Sequence, residues 1–371
     1  MKVTLLLTAS SLAAAGVLET RQRATPKFES LVASPNAPRV HATSKRTLTS
    51  YGPFILPASK GGAAAGGGGM GMGDSTLGGT SFMLNMEKGI CSDKTNGPCT
   101  VFGGNVSVYF EDGRKATPAD GIYIHHLLTT DRTKKATNFL SACDNPTRAG
   151  MSVSGFGGTG FVGVGEDSGE EPVLYTQRDG QSKAGYWVAE NDKFMANVVL
   201  VNYNKEQKSV TVKYDLEWSP TPPPANTRGM LVSISQCPGK GSIKMSPSGP
   251  ANSTSGKFTF LEDGVILAAR GHLHDGGSQV AMYVNNKPAC ASKATYGGKE
   301  STTEVGGTKW ATISSMSYCD GPIPIKKGDQ MHLVVEYDLK AHPLRKSADG
   351  HDATGVMGMM SVTFASSAKD F

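Results

Sequence analysis

The chain has 371 residues, of which 19% are charged, and its formal net charge is +5. This small charge is spread along the chain and forms no concentrated basic stripe, so we expect no nucleic acid among its partners. The length suffices for two ordinary domains or one large one.

The N-terminal segment has the three parts of a secretory signal peptide. In MKVTLLLTASSLAAAGVLETRQR a lysine precedes an apolar run from Val3 to Leu18, and small residues follow. The run is too short and too rich in alanine and serine for a membrane helix. We expect residues 1–18 to be a signal peptide and the protein to be a secreted monomer without a membrane partner.

Two segments with few apolar residues come next. Residues 19–46 are polar and end in the dibasic pair Lys45-Arg46, which resembles a processing site. This stretch is either a removed pro-segment or an unstructured arm, and both alternatives predict no fold. Residues 47–80 contain the low-complexity stretch KGGAAAGGGGMGMG, which predicts a flexible glycine-rich arm.

From about Phe82 onward, the chain consists of short runs that alternate apolar and polar residues. NVSVYFEDG, KFMANVVLVNYN, GVILAARGHLH and QMHLVVEYDLK are examples, and turn clusters separate them. No long stretch keeps a helical period, so we predict an all-β fold of two tandem antiparallel β-sandwich domains, jelly-roll-like in build. The proline cluster in WSPTPPPANTRG divides them near residue 222, into domains 81–222 and 223–371.

The six cysteines fit an oxidising compartment, and the lack of a CxxC pair favours disulfides over a zinc site. We expect Cys91–Cys99 to close a local loop and Cys290–Cys319 to join two neighbouring strands. The sequons at Asn105 and Asn252 are either N-glycosylation sites of a glycoprotein or chance matches in polar loops.

Two histidine pairs carry the strongest chemical signal, although the chain has only eight histidines. His272 and His274 lie two residues apart in RGHLHDGG, so a strand would present both imidazoles on one face as metal ligands. His125 and His126 are adjacent in YIHHLL and can bind one ion only if the backbone bends. A single histidine is usually solvated or hydrogen-bonded, whereas two clustered pairs indicate a metal site.

A methionine-rich segment near the end of the chain indicates which metal this is. In GVMGMMSVTF, Met357 follows a glycine-rich turn, while Met359 and Met360 enter a strand, where methionine commonly fills a core. Imidazole suits zinc, copper, iron and nickel, but a thioether selects copper, above all Cu(I). Two histidines and Met357 would therefore make a copper site.

The order His-His, His-x-His and late methionine resembles the copper type II, ascorbate-dependent monooxygenases, which include peptidylglycine α-hydroxylating and dopamine β-monooxygenases. The resemblance spans residues 80–365 and implies two tandem β-sandwiches with ascorbate or another reductant as electron donor. It implies an electron-transfer copper at His125 and His126, and an oxygen-activating copper at His272, His274 and Met357. A secreted plant nodulin family upregulated by stress is a second resemblance.

The chain departs from the family pattern at two positions. The third histidine of the first copper site falls on Asn202, whose amide is a poor copper ligand, so we expect that site to be weakened or absent, leaving one copper ion, with two as the alternative. The substrate-binding tyrosine falls on Ser361, which argues against a glycine-extended peptide. Arg270 does match the arginine that binds the substrate carboxylate, although it is otherwise a strand arginine facing solvent.

These patterns favour a copper-dependent oxidase or monooxygenase that uses O2 to oxidise a C–H bond of a small molecule or peptide, with a carboxylate as the candidate anchor. The alternatives are a secreted copper-binding protein without catalysis, or a β-sandwich whose residual site holds no metal. His342 and His351, in the loop before Met357, are further candidate ligands. Asp275 either orients an imidazole or belongs to a turn. The glycine-rich residues 157–170 lie among β-like, polar segments and do not predict a phosphate loop.

Overall fold

The computed structural model describes residues 25–59, 79–134, 139–142, 158–165, 167, 171–237, 243–305, 308–319, 321–344 and 356–366. Within these ranges the chain forms 24 β-strands and a short 3-10 helix, Pro118–Asp120, and no α-helix. The strands before residue 222 are β1 Lys27–Ala33, β2 Lys45–Leu56, β3 Thr80–Met86, β4 Cys99–Phe110, β5 Ile122–Asp131, β6 Leu140–Ala142, β7 Thr159–Val164, β8 Val173–Leu174, β9 Tyr186–Val188, β10 Phe194–Asn202 and β11 Lys208–Ser219. The later strands are β12 Thr227–Ser233, β13 Ala251–Thr254, β14 Phe258–Phe260, β15 Gly264–Leu273, β16 Gly277–Val284, β17 Lys287–Tyr296, β18 Thr302–Val305, β19 Thr308–Ala311, β20 Ile313–Met316, β21 Tyr318–Cys319, β22 Ile323–Ile325, β23 Gln330–Tyr337 and β24 Gly358–Ala365.

The described strands form three large antiparallel sheets and one two-stranded ribbon. The six-stranded sheet has the order β1-β2-β11-β4-β8, with β9 beside β4. The seven-stranded sheet has the order β20-β17-β16-β23-β14-β6, with β13 beside β23. The nine-stranded sheet runs β21-β15-β24-β12-β7-β5-β10-β3, with β22 beside β15, and so contains strands from both halves of the chain. The all-β sandwich prediction is confirmed.

Two hydrophobic cores lie on the nine-stranded sheet. The first packs the six-stranded sheet against strands β3, β5 and β10 and buries Tyr214 and Leu127. The second packs the seven-stranded sheet against β12, β15 and β24 and buries Leu333 and Val362. The alternating burial along β11 and β23 follows from the period of two in their sequences.

One short strand from the first half belongs to the second sandwich. β6 pairs with β14, and Leu140 lies in the second core together with Phe139. The two cores otherwise take their residues from either side of the proline cluster. A strand of three residues has no recognisable period, so the sequence does not reveal this exchange.

The prediction that residues 19–46 have no fold is wrong for the part of this segment that the structure describes. β1 forms the edge of the six-stranded sheet and pairs with β2. The loop between them is held by the carboxylate of Glu217, which is 1% exposed. This carboxylate accepts hydrogen bonds from the backbone N–H groups of Arg39, Val40 and His41 and from the Ser44 hydroxyl.

The prediction of a glycine-rich arm over residues 47–80 is also wrong for residues 47–56, which lie in β2. Lys45 and Arg46 lie in β2, where the Arg46 guanidinium pairs with Asp215 at 2.6 Å. Tyr51 and Phe54 on the same strand are fully buried in the first core. An edge strand is polar on its solvent face, which explains why β1 is hard to recognise. Residues 60–78 lie outside the described residues.

The disulfides Cys91–Cys99 and Cys290–Cys319 are confirmed. Cys237 is also disulfide-bonded, while Cys143 lies outside the described residues. Disulfides are consistent with an extracellular protein. In the described part of the chain, no helix is long and apolar enough to cross a membrane. The predicted signal peptide, residues 1–18, is not among the described residues.

The two sequons differ in accessibility. Asn105 is 2% exposed in β4, and its Oδ1 accepts a hydrogen bond from the backbone N–H of Val106 at 2.8 Å. Asn252 is exposed on β13. In protein secreted from a eukaryotic host, we expect Asn252→Gln to remove the mass of one N-glycan and Asn105→Gln to leave the glycan mass unchanged, as measured by intact mass spectrometry. Glycan loss in Asn105→Gln would contradict this assignment.

Candidate metal centre

The adjacent histidines of β5 are turned by a β-bulge. In the pairing of β5 with β10, His126 lies opposite Val199 and the next pair is Ile124 with Leu200, so His125 is the extra residue. A bulge bends the strand and redirects its side chains. This is the backbone bend that the sequence required for both histidines to serve one ion. His125 is buried and His126 is partly buried.

The nine-stranded sheet folds so that β5 and β15 meet. These strands lie four steps apart in the sheet order, which in a flat sheet would separate them by about 19 Å. Nevertheless, the Nε2 atoms of His126 and His272 are 3.3 Å apart. Between the two arms, β12 and β7 meet through the pair Gly229 and Gly160, which have no side chains to oppose a sharp bend.

Four histidines consequently form one cluster, comprising His125, His126, His272 and His274. His126 Nε2 lies 3.4 Å from His274 Nε2, in addition to its 3.3 Å approach to His272. Ligand atoms of His125, His126 and His274 all lie within 4.8 Å of one another and could hold a metal ion. Two nitrogens bound tetrahedrally to one ion at about 2.0–2.1 Å would be about 3.3–3.4 Å apart.

The two histidine pairs that the family resemblance assigns to separate copper ions lie in one cluster in this structure. The pair from the first half and the pair from the second half contribute to the same cluster, because the sheet brings β5 against the end of β15. The ring centroids of His125 and His274 are 5.3 Å apart, so even the buried member of the first pair faces the second pair.

A buried carboxylate holds His272 from outside the cluster. Asp167 Oδ1 lies 2.7 Å from His272 Nδ1, and Oδ2 accepts the backbone N–H of Leu273 at 3.0 Å. Burial alone would raise the pKa of Asp167, but the charge and hydrogen bond of His272, the Leu273 N–H and the Arg270 charge together lower it below its ordinary value. The sequence did not single out Asp167, because it lies in the glycine-rich stretch 157–170.

The turn after His274 is anchored by other groups. Asp275 accepts hydrogen bonds from the Trp310 indole N–H and the backbone N–H of Ile313, each at 3.0 Å. Of its two predicted roles, the turn is observed, with Asp275 and Gly276 between β15 and β16. His342, a candidate ligand, stacks on Tyr296 with ring centroids 3.6 Å apart. The Tyr296 hydroxyl accepts a hydrogen bond from the backbone N–H of Gly276 and donates one to the carbonyl of Gly277 in this turn.

A cavity opens beside the cluster on the concave face of the folded sheet. His126 and His272 form part of its wall, and apolar side chains and glycines from both arms form most of the rest. Polar groups also line it, including Arg270, Ser361 and Asn197. A pocket of mostly apolar walls with a few polar groups is typical of a small-molecule site.

Arg270 is buried rather than exposed to solvent. It is 7% exposed, its Nη1 donates to the Glu171 carbonyl at 3.0 Å, and its guanidinium lies 5.0 Å from the Tyr318 ring centroid. The Tyr318 hydroxyl in turn donates to the Pro172 carbonyl, and burial raises the pKa of this phenol. The alternative of a solvent-facing strand arginine is therefore wrong.

The methionines divide between the core and the cavity. Met360 is fully buried in the second core, as predicted. Met357 lines the cavity, and the Tyr337 hydroxyl is bonded to both its carbonyl and its N–H. Met359 also lines the cavity and lies directly opposite His272 in the pairing of β15 with β24. Sequence alone assigned Met359 to the core; the register gives it a second role as a neighbour of His272.

A further predicted site residue, Asn202, does not belong to the histidine cluster. Asn202 lies at the end of β10, opposite Ile122, and its amide donates to the carbonyls of Pro57 and Glu206. Its Oδ1 accepts the backbone N–H of Asn204, so Asn202 organises a turn. His351 lies outside the described residues.

The chain matches no known family model, and no curated protein is significantly similar to it.

Proposed function

We propose that the protein is a secreted copper-dependent oxidase or monooxygenase that uses one ion held jointly by the two halves of the chain. The observation that supports this most directly is the convergence of His126 with His272 and His274, at nitrogen spacings suited to a single ion. The cavity beside these histidines provides space for a substrate. Copper is favoured over zinc because the thioethers of Met357 and Met359 line the same cavity.

The candidate ligands are His125, His126 and His274, with His272 adjoining them. Bound copper would supply one-electron redox chemistry with O2. Hydroxylation of a C–H bond places one oxygen atom of O2 on carbon and releases the other as water, and it consumes two electrons and two protons. Ascorbate supplies the two electrons and one proton when it is oxidised to dehydroascorbate, and solvent supplies the second proton.

The cavity favours a substrate with an apolar body and one anionic group. Its walls are mostly apolar, and Arg270 lies two residues from His272 on the same strand face. No carboxylate in the described residues forms an ion pair with Arg270, whereas its fork of donors suits a substrate carboxylate. The Cα atoms of Arg270 and His272 are about 7 Å apart along the strand.

A second candidate function is copper binding without turnover. Four imidazoles around one ion would fill a tetrahedral site, as in structural zinc sites, whereas a catalytic site keeps one position open. The proximity of all four histidine rings favours this alternative. The two functions differ in whether O2 reacts at the loaded protein.

Oxygen uptake distinguishes them. Protein loaded with one equivalent of copper is expected to consume O2 with ascorbate above the rate of the same copper in buffer, and an apolar carboxylate is expected to raise the rate further. The His274→Ala variant should consume O2 no faster than the same copper in buffer. The control is His332→Ala, which should consume O2 at the wild-type rate because the His332 ring stacks on Tyr283. Stoichiometric copper with only the buffer rate would contradict the enzyme and support the binding protein.

A further inference from the structure

Asp167 reaches His272 from the opposite half of the chain. It is 3% exposed, and both of its oxygens contact β15, one at the His272 ring and one at the backbone N–H of Leu273. The carboxylate therefore cannot swing away from the ring without losing a second buried hydrogen bond.

This contact fixes which nitrogen of His272 faces the cluster. In a neutral imidazole one nitrogen carries the proton and the other has the free electron pair that binds a metal. A carboxylate at 2.7 Å from Nδ1 favours the proton on Nδ1. Nε2 then presents its electron pair at the point where it lies 3.3 Å from His126 Nε2.

Gly165 leaves the space that the His272 ring occupies. A Cβ atom at position 165 would lie 2.8 Å from Cε1 of His272 and 3.0 Å from Oδ1 of Asp167. Both distances are too short for a side chain unless the ring or the carboxylate moves. Gly165 therefore leaves room for the His272 ring, and Asp167 holds that ring through a hydrogen bond to Nδ1.

We propose that Asp167 is a positioning residue that holds His272 as an Nε2 ligand of the ion shared with His126, and that Gly165 is required for this placement. The inference deepens the proposed function, because it rests on a metal ion at the histidine cluster. It adds His272 to the three histidines whose ligand atoms already lie within 4.8 Å of one another.

The first test uses Asp167→Asn, which keeps the size of the side chain but lacks the charge. With copper(II) as the probe, we expect about 10- to 100-fold weaker binding and an EPR spectrum with one fewer coordinated imidazole. His272→Ala should give the same spectrum, and the double variant should lose no further nitrogen. In metal-free protein, nitrogen NMR should show the His272 proton shifted from Nδ1 toward Nε2.

Matched controls separate positioning from general damage. Asp192→Asn changes an aspartate that is also 3% exposed but that bonds Lys134 and the backbone N–H of Ala189, and it should leave the copper spectrum unchanged. Gly165→Ala keeps the carboxylate but should reproduce the loss of one imidazole, because its new Cβ would lie 2.8 Å from Cε1 of His272. If Asp167→Asn does not fold, Gly165→Ala carries the test.

The outcomes of this experiment are distinct from those of the proposed function. Wild-type protein that binds no copper would end the proposed function and the ligand role together. Wild-type protein that binds copper, with Asp167→Asn and Gly165→Ala indistinguishable from it in affinity and spectrum, would overturn this inference alone.

Discussion

Substitution of His126 by alanine is expected to remove the same copper ion that His274→Ala removes. The two residues come from different halves of the chain, but their Nε2 atoms are 3.4 Å apart, so one ion would bind both. Wild-type protein should hold one copper per chain after dialysis. Each variant should bind copper about 100-fold more weakly or worse, since even outer partners of metal ligands are worth about 10- to 100-fold.

Elemental analysis measures the number of copper ions per chain, and competition with a chromophoric chelator measures the affinity for copper. If the histidine pairs formed separate sites, His126→Ala would keep one ion at His272 and His274, and the double variant would lose two. A shared ion instead makes the double variant no worse than either single variant, which is the non-additivity expected of groups acting on one ligand. His332→Ala serves as the control, because His332 stacks on Tyr283 away from the cluster.

The fold was largely predictable because its strands alternate with a period of two. QMHLVVEY alternates in burial along β23, as the pattern predicts. The N-terminal strands were missed for a physical reason, since β1 is an edge strand with most of its residues exposed. What makes this segment part of the fold is the buried Glu217 carboxylate, about 180 residues away in the sequence, and no local pattern reports that contact.

The site was predictable as residues but not as an arrangement. The spacing of His272 and His274 predicted both rings on one strand face, although His274 lies one residue beyond β15. The bulge at His125 is the bend that the sequence required of the other pair. That the two pairs meet depends on how the nine-stranded sheet bends between β5 and β15, which strand periodicity cannot convey. Asp167 was missed for a similar reason, because its partner lies 105 residues away.

Copper binding is expected to stabilise both sandwiches together. At a free concentration of about 100 times its dissociation constant, a ligand that binds only the folded state adds about 2.7 kcal/mol to the free energy of unfolding. For a chain of this size that corresponds to about 3–4 °C in Tm. The increase should vanish in His126→Ala and His274→Ala and remain in His332→Ala, as measured by calorimetry with copper(II) and without reductant.

Hydrogen exchange locates this stabilisation. The two sandwiches have separate cores, and the ion would bridge β5 of one to the end of β15 of the other. Copper should therefore slow exchange of amides on both strands, because opening of either arm would release the ion. In His126→Ala the protection of β15 should be lost along with that of β5, although the His272 and His274 side chains are unchanged. Protection confined to β15 in the wild type would mean that the second pair binds the ion alone, and the bend of the sheet would then have no part in metal binding.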